Sequence, residues 1–186
     1  MVALSLRQIA EFGGAEILRG NGETRISRVS TDSRTIKSEQ LFVALRGENF
    51  DAHDFLEQVA KAGATGAMVS ENTPSNLPEN FAILRATDTL VAYQNLAANY
   101  RKTLPLRVLG ITGSNGKTST KDFAASILGR AFRVTKTEGN FNNHVGLPRT
   151  MLEATRDDQF AVWELGMNHP GEIGRASCRE RVSFLV

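Results

Sequence analysis

The sequence predicts an α/β fold: a small α/β domain followed by a parallel-sheet domain built on a phosphate-binding loop. Three observations predict it. Short β-prone apolar runs alternate with amphipathic helical stretches along most of the chain. The segment GITGSNGKTST (110–120) sits between an apolar run, LRVLGI (106–111), and a helical one, KDFAASILGR (121–130). That order is strand, glycine-rich loop, helix, and a further strand–helix–strand pattern resumes behind it.

In the first domain, Ser5 caps an opening helix that turns Leu6, Ile9 and Ala10 inward. Strands are predicted at RISRVST (25–31), QLFVALR (40–46), GAMVS (66–70) and FAILR (81–85). A helix over HDFLEQVAKAG (53–63) carries Phe55, Leu56, Val59 and Ala60 inward and stops at Gly63. A longer helix over 87–103 starts at Thr87 and places Leu90, Tyr93, Ala97 and Tyr100 on one stripe. The domain is expected to span 1–104, with Arg101 to Leu106, including Pro105, as the hinge.

The second domain, 105–174, opens with the phosphate-loop strand and its helix. FRVTKTE (132–138) reads as a second strand, GNFNNHVGLPRTMLEA as a polar loop entering a short helix near Leu147, and FAVWELG (160–166) as a third strand. Parallel strands joined by helices gather ligands beyond their C-terminal ends. The phosphate loop, Asn140–His144 and Glu164–His169 all fall at that edge.

Composition narrows the function classes. The chain has 186 residues, 41% of them hydrophobic, and no apolar run of membrane-spanning length. Its N-terminus lacks the basic-then-apolar order of a signal peptide. Three of the 22 basic residues and one of the 20 acidic ones lie in the last twelve positions, so the body is neutral and the net charge of +2 does not argue for nucleic acid. The single cysteine, Cys178, lies in that tail. A body without cysteine holds no disulfide or thiolate metal site, which fits the cytoplasm.

Backbone N–H groups of a loop such as 113–119, with the positive end of the following helix, suit the triphosphate of ATP or GTP. Lys117 would reach the β- and γ-phosphates and the Thr118 hydroxyl would hold Mg²⁺. The general pattern asks for glycine where this chain has Ile111, and Gly110 and Gly113 flank it instead. Glu164, ending an apolar strand, is a Mg²⁺ partner by position, or else a solvated strand-end acid. Asn140, Asn142, Asn143 and His144 read equally as turn polars, and NHPGE (168–172) as a helix start. In the first domain STDSR (30–34) and GENFDAHDF (47–55) each follow a strand. They could hold a phosphorylated ligand, with Arg34 its natural partner, or serve as caps and turns.

TGSNGKTSTK, TEGNFNNHVGLP and ELGMNHPGEI together resemble the Mur ligases, and VSTDSRTIKSEQLFVALRGENFDAHDF is similar to that family's UDP-sugar-binding domain. The resemblance runs from residue 1 to about 173. EGNFNN and MNHPGEI point within the family to the member adding D-alanyl-D-alanine to UDP-N-acetylmuramoyl-tripeptide. It implies a UDP-sugar domain followed by a P-loop ATP-binding domain. It also implies an ATP- and Mg²⁺-dependent ligase of peptidoglycan precursor synthesis, cytoplasmic and monomeric, that works through an acyl phosphate. By matching position, Gly113, Ser114, Asn115, Gly116, Lys117, Thr118 and Ser119 would bind ATP, with Lys117 and Glu164 catalytic and Thr118 and Glu164 at Mg²⁺. Asn142, Asn143, Asn168 and His169 would border the cleft, and Ser30, Asp32, Ser33, Arg34, Asn49 and His53 would line the UDP-sugar site. Two other readings stay open: a Mur-type ligase adding diaminopimelate or lysine, and a non-catalytic nucleotide- or UDP-sugar-binding module.

Mur ligases have three domains, so the resemblance implies a chain that breaks off inside the central one. IGRASCRERV is also what a common sequencing adapter encodes in one reading frame, so 175–186 is expected to be a foreign tail.

Overall fold

A computed structural model describes residues 1–47, 50–70 and 74–166, together with the backbone of 183–185. The chain divides into two compact units, Met1–Tyr100 and Arg101–Val186.

The first unit opens with β1 (Leu4–Ser5) and α1 (Leu6–Gly13). Ser5 caps α1 as its residue types predict: its Oγ accepts from Gln8 N–H at 3.2 Å, and Gln8 Oε1 accepts from Ser5 N–H at 2.9 Å. Leu6, Ile9 and Ala10 are buried. Next come β2 (Glu16–Arg19), β3 (Arg25–Ile26), β4 (Arg28–Ser30) and β5 (Gln40–Val43). The run 25–31, expected as one strand, is thus two. β3 pairs with β1 in a separate two-stranded ribbon, while β4 enters the main sheet. The helix expected over 53–63 is shorter and composite, a 3-10 turn at Ala52–Phe55 leading into α2 (Leu56–Lys61).

β6 (Gly66–Val69), β7 (Ala82–Arg85) and α3 (Thr89–Lys102) complete the unit. α3 starts two positions after Thr87 because Asp88 is the cap: its Oδ1 accepts from Leu90 N–H at 2.8 Å and Val91 N–H at 3.1 Å. The main sheet runs β2-β7-β6-β5-β4, parallel except for β2 at one edge. β6 is buried along its whole length, as a strand covered on both faces must be. One side of the core gathers Ile36, Phe42, Leu56, Val59, Val69, Phe81 and Ile83. β2 escapes the sequence pattern because its residues alternate only between exposed and half-buried, leaving no apolar face to recognise.

The second unit is a parallel sheet, β11-β8-β10-β9. β8 (Arg107–Ile111) leads through the glycine loop into α4 (Lys117–Leu128), then β9 (Val134–Lys136), α5 (Gly146–Glu153) and β10 (Phe160–Glu164). β11 (Ser183–Leu185), within the expected foreign tail, pairs by its backbone with Leu109–Ile111 of β8. The order places β8 and β10 side by side, with Glu164 opposite Ile111 in register. The strand that delivers the loop and the strand that delivers the carboxylate therefore end together.

Candidate active site

The loop between β8 and α4 turns on two glycines. Gly113 has φ +142° and Gly116, which caps α4, has φ +74°. Both lie where a side chain is strained. The first intrahelical bond runs from Thr120 N–H to Gly116 O at 2.9 Å, so the N–H groups of Lys117, Thr118 and Ser119 precede the helical ladder. They are the helix-end donors that suit an anion. Lys117 folds back over the loop, its Nζ donating to Gly113 O at 2.7 Å.

Behind the loop stands Glu164, 3% exposed at the end of β10. Thr118 Oγ1 donates to its Oε2 at 3.0 Å, and Asn142 Nδ2 donates to its Oε1 at 2.8 Å. Glu164 is therefore not a solvated strand end: each carboxylate oxygen is held by a group from a different element. Its own N–H donates to Thr137 Oγ1 at 3.0 Å, fixing the backbone beneath it. Asn142 is anchored in turn, since its carbonyl accepts from Gly166 N–H at 2.7 Å. A Cβ at Gly166 would come within 2.9 Å of that same oxygen, so glycine there permits the close approach.

Asn143 does something else. Its Oδ1 accepts from Val145 N–H at 3.1 Å and Gly146 N–H at 2.8 Å, holding the start of α5. Asn168 and His169 lie outside the described residues, as does Asn49 in the first unit. Ser114, Asn115 and Ser119 are exposed along the loop and the first turn of α4.

The oxygen set formed by Thr118 and Glu164 fits a hard cation such as Mg²⁺, which takes few protein oxygens and completes its shell with phosphate and water. No cluster of three or more His, Cys, Asp or Glu able to hold a metal occurs among the described residues.

In the first unit, loops leave the C-terminal ends of β4 and β5. After β4, Ser30 Oγ accepts from Asp32 N–H at 3.2 Å. Asp32 takes Arg34 in a two-pronged pair, Nε to Oδ1 and Nη2 to Oδ2, both 2.9 Å. The hydrogen bond and charge of Asp32 raise the Arg34 guanidinium above its ordinary value. Arg34 is 83% exposed, its fork already docked on a carboxylate. Ser33 is half-buried between them. After β5, Asp51 receives Arg46 Nε at 2.8 Å and His53 N–H at 2.9 Å, and its Oδ1 lies 2.6 Å from His53 Nδ1. Burial alone would raise the Asp51 carboxyl. The hydrogen bonds from His53 and Arg46 together outweigh it and bring the carboxyl down to about 2.

Comparison with known proteins places both units. Residues 25–103 match the Mur ligase family catalytic domain, and residues 111–183 match the Mur ligase middle domain. The chain belongs to the Mur ligase family. Among curated Mur ligases it is 45% identical over 174 residues to the UDP-N-acetylmuramoyl-tripeptide–D-alanyl-D-alanine ligase of Bacillus subtilis. It is 44% identical over 174 residues to that of Escherichia coli. Each alignment covers 93% of this chain but only 38% and 37% of those relatives, so the chain spans under two fifths of their length. A solved MurF from Acinetobacter baumannii superposes with a TM-score of 0.87 at 38% identity, over 93% of this chain and 38% of that one. MurF from Thermotoga maritima, solved in complex with ADP, gives 0.72 at 29% identity over 80% and 34%.

Three residues of this Mur ligase chain escaped the sequence reading. Thr137 is wholly buried and supports Glu164, and Thr112 Oγ1 donates to Leu165 O at 3.3 Å across the two strand ends. Lys121 is 3% exposed, one turn beyond Lys117, with its Nζ 3.6 Å from Asp122 Oδ1. Lysine at an inward helical position was the available signal for Lys121. A threonine just past a strand carries none.

Proposed function

We propose that this chain forms the UDP-sugar-binding unit and part of the ATP-binding unit of a ligase that joins D-alanyl-D-alanine to UDP-N-acetylmuramoyl-tripeptide, a monomer working in the cytoplasm. The observation that carries the reading is the convergence of Thr118, Asn142 and Glu164 behind the glycine loop.

In this reading the terminal carboxylate oxygen of the tripeptide attacks the γ-phosphorus of ATP, ADP leaves, and an acyl phosphate forms. The dipeptide amine adds to the acyl carbon, loses a proton, and phosphate departs as the amide forms. Lys117 would leave Gly113 O for the transferring phosphoryl oxygens, where charge grows most. The N–H groups of Lys117, Thr118 and Ser119 would hold the phosphate chain. Thr118 and Glu164 would hold Mg²⁺, which when bound neutralises phosphate charge. Asn142 and Thr137 would keep the Glu164 carboxylate aimed. In the first unit the Ser30–Arg34 loop and the loop after β5 would take the UDP-sugar.

The test is phosphate release by the full-length gene product with ATP, UDP-N-acetylmuramoyl-tripeptide and D-alanyl-D-alanine. Diaminopimelate and lysine are run as competing amines. Turnover with either of those in place of the dipeptide would move the assignment to another Mur ligase. Nucleotide binding without turnover on any amine would leave a binding module.

A further inference from the structure

His53 has a ring only 8% exposed, in contact at both nitrogens. Its Nε2 lies 3.0 Å from the backbone N of Ser70, at the C-terminal end of β6, and 3.4 Å from Ser70 Oγ. Its Nδ1 lies 2.6 Å from Asp51 Oδ1, on the loop after β5. Aspartate, histidine and serine in a row have the membership of a nucleophilic triad, but the bonding is different. A backbone N–H can only donate, so Nε2 must be the bare, accepting nitrogen. Its one lone pair is already engaged, which leaves no base for the hydroxyl at 3.4 Å. The hydrogen must then sit on Nδ1 and be donated to Asp51. The tautomer follows from the geometry of the backbone alone.

The described residues at the two ends of that loop are bonded to each other. Arg46 and Asp51 form an isolated antiparallel bridge, Gly47 N–H donates to Phe50 O at 2.7 Å, and Ala52 N–H donates to Leu45 O at 3.0 Å. Arg46 grips the other oxygen of Asp51, Oδ2. The imidazole thus joins the loop to the neighbouring strand.

We propose that His53 is a positioning residue for the first unit's ligand: as a neutral Nδ1–H imidazole it ties the loop after β5 to the end of β6 and does not itself contact the ligand. The inference rests on the UDP-sugar reading of this unit for its functional consequence, and on geometry alone for the tie.

Two ligand-independent measurements on the 186-residue chain decide the tie. Imidazole ¹⁵N spectra should show His53 as the Nδ1–H tautomer. The Ser70 amide should exchange slowly with solvent in the parent and in Ser70→Ala, about tenfold or more faster in His53→Ala, and slowly again in His53→Gln, whose amide oxygen can replace the Nε2 acceptor. An Nε2–H tautomer, or unchanged Ser70 exchange in His53→Ala, overturns the tie. Calorimetry with UDP-N-acetylmuramoyl-tripeptide then decides the positioning. Affinity should fall about tenfold in His53→Ala and recover in His53→Gln. Equal loss in both variants would make His53 a direct ligand contact and overturn the proposal. No binding by the parent would count against the UDP-sugar reading, while the tautomer and exchange results would still judge the tie. If His53→Ala does not fold, the tautomer and the His53→Gln exchange and affinity decide alone.

Discussion

Thr118 Oγ1 and Glu164 Oε2 stand 3.0 Å apart, joining the first turn of α4 to the last residue of β10 across 46 positions of sequence. The pair exists because β8 and β10 are neighbours in register, ending at Ile111 and Glu164. A hydroxyl that donates to a carboxylate here can turn its lone pairs to a cation without moving the backbone. Replacing the carboxylate should therefore act on the metal first. In the full-length enzyme Glu164→Gln should raise the Mg²⁺ concentration for half-maximal phosphate release at least tenfold. The amide keeps the shape and loses the charge. Unchanged Mg²⁺ dependence would separate Glu164 from the metal.

Lys117→Ala tests the loop. Its ammonium meets charge that develops during transfer, so the loss should fall on kcat, by about a thousandfold, with UDP-sugar affinity preserved. Single-turnover phosphate release and calorimetry separate the two. Turnover within a few-fold of the parent would remove Lys117 from the chemistry.

Much of this edge was legible in the sequence because its chemistry is written in contiguous residues. Gly113, Gly116, Lys117 and Thr118 fall within six positions, and the strand before them and the helix after them have clear periodicity. Glu164 was legible as a strand end but not as a held, buried acid, since the groups bonded to its carboxylate, Thr118 and Asn142, are remote in sequence. Asn142 and Asn143 are indistinguishable by type. Only the fold sends one to Glu164 and the other to the start of α5. His53 stands at the UDP-sugar site by the family resemblance, and its partner at Ser70 could not be read from spacing. The split of 25–31 into β3 and β4 likewise depends on which strand each half pairs with.

Glycine geometry gives a stability prediction. A Cβ at Gly66 would lie 2.4 Å from Ala82 O and 2.6 Å from Ala82 Cβ, between β6 and β7 at the centre of the first sheet. Neither the backbone oxygen nor the strand can yield cheaply. Gly66→Ala should destabilise the first unit by about 2–3 kcal/mol, seen as a lowered Tm. At Gly116 nothing lies within 4 Å of the added atom, so only the φ of +74° opposes substitution. Gly116→Ala should lose about 1–2 kcal/mol, and Gly116→Asn less. An effect at Gly66 no larger than that at Gly116 would show that β6 and β7 yield to the added methyl at little cost.

Asp51 gives an acid dependence. Its folded carboxyl lies at about 2, below the ordinary value of 3.8, so the unfolded chain binds its proton first as pH falls. The stability it contributes is fully present above about pH 4 and is lost as pH drops from there toward 2. Tm measured between pH 5 and 2.5 should fall less steeply in Asp51→Asn than in the parent. Parallel curves would mean that Arg46 and His53 do not favour the charged form.

The first unit should carry these properties without the second. Its five-stranded sheet draws every strand from Glu16 to Arg85, and its core cluster lies between Ile36 and Ile83. The one element crossing the division at Tyr100 is α3, which ends at Lys102. A protein comprising residues 1–104 keeps that helix whole, with Ala92, Tyr93, Leu96, Ala97 and Tyr100 buried, and about 100 residues suffice for an independent core. Tyr100 Oη, accepting from Val2 N–H at 2.8 Å, closes the two ends of the unit on each other. Residues 1–104 should therefore unfold in one cooperative transition, show the same acid loss below pH 4, and bind UDP-N-acetylmuramoyl-tripeptide without ATP. Circular dichroism melts and calorimetry check all three. A broad, non-cooperative melt would mean that the first core depends on the second unit, and a cooperative fold without ligand binding would overturn the UDP-sugar assignment.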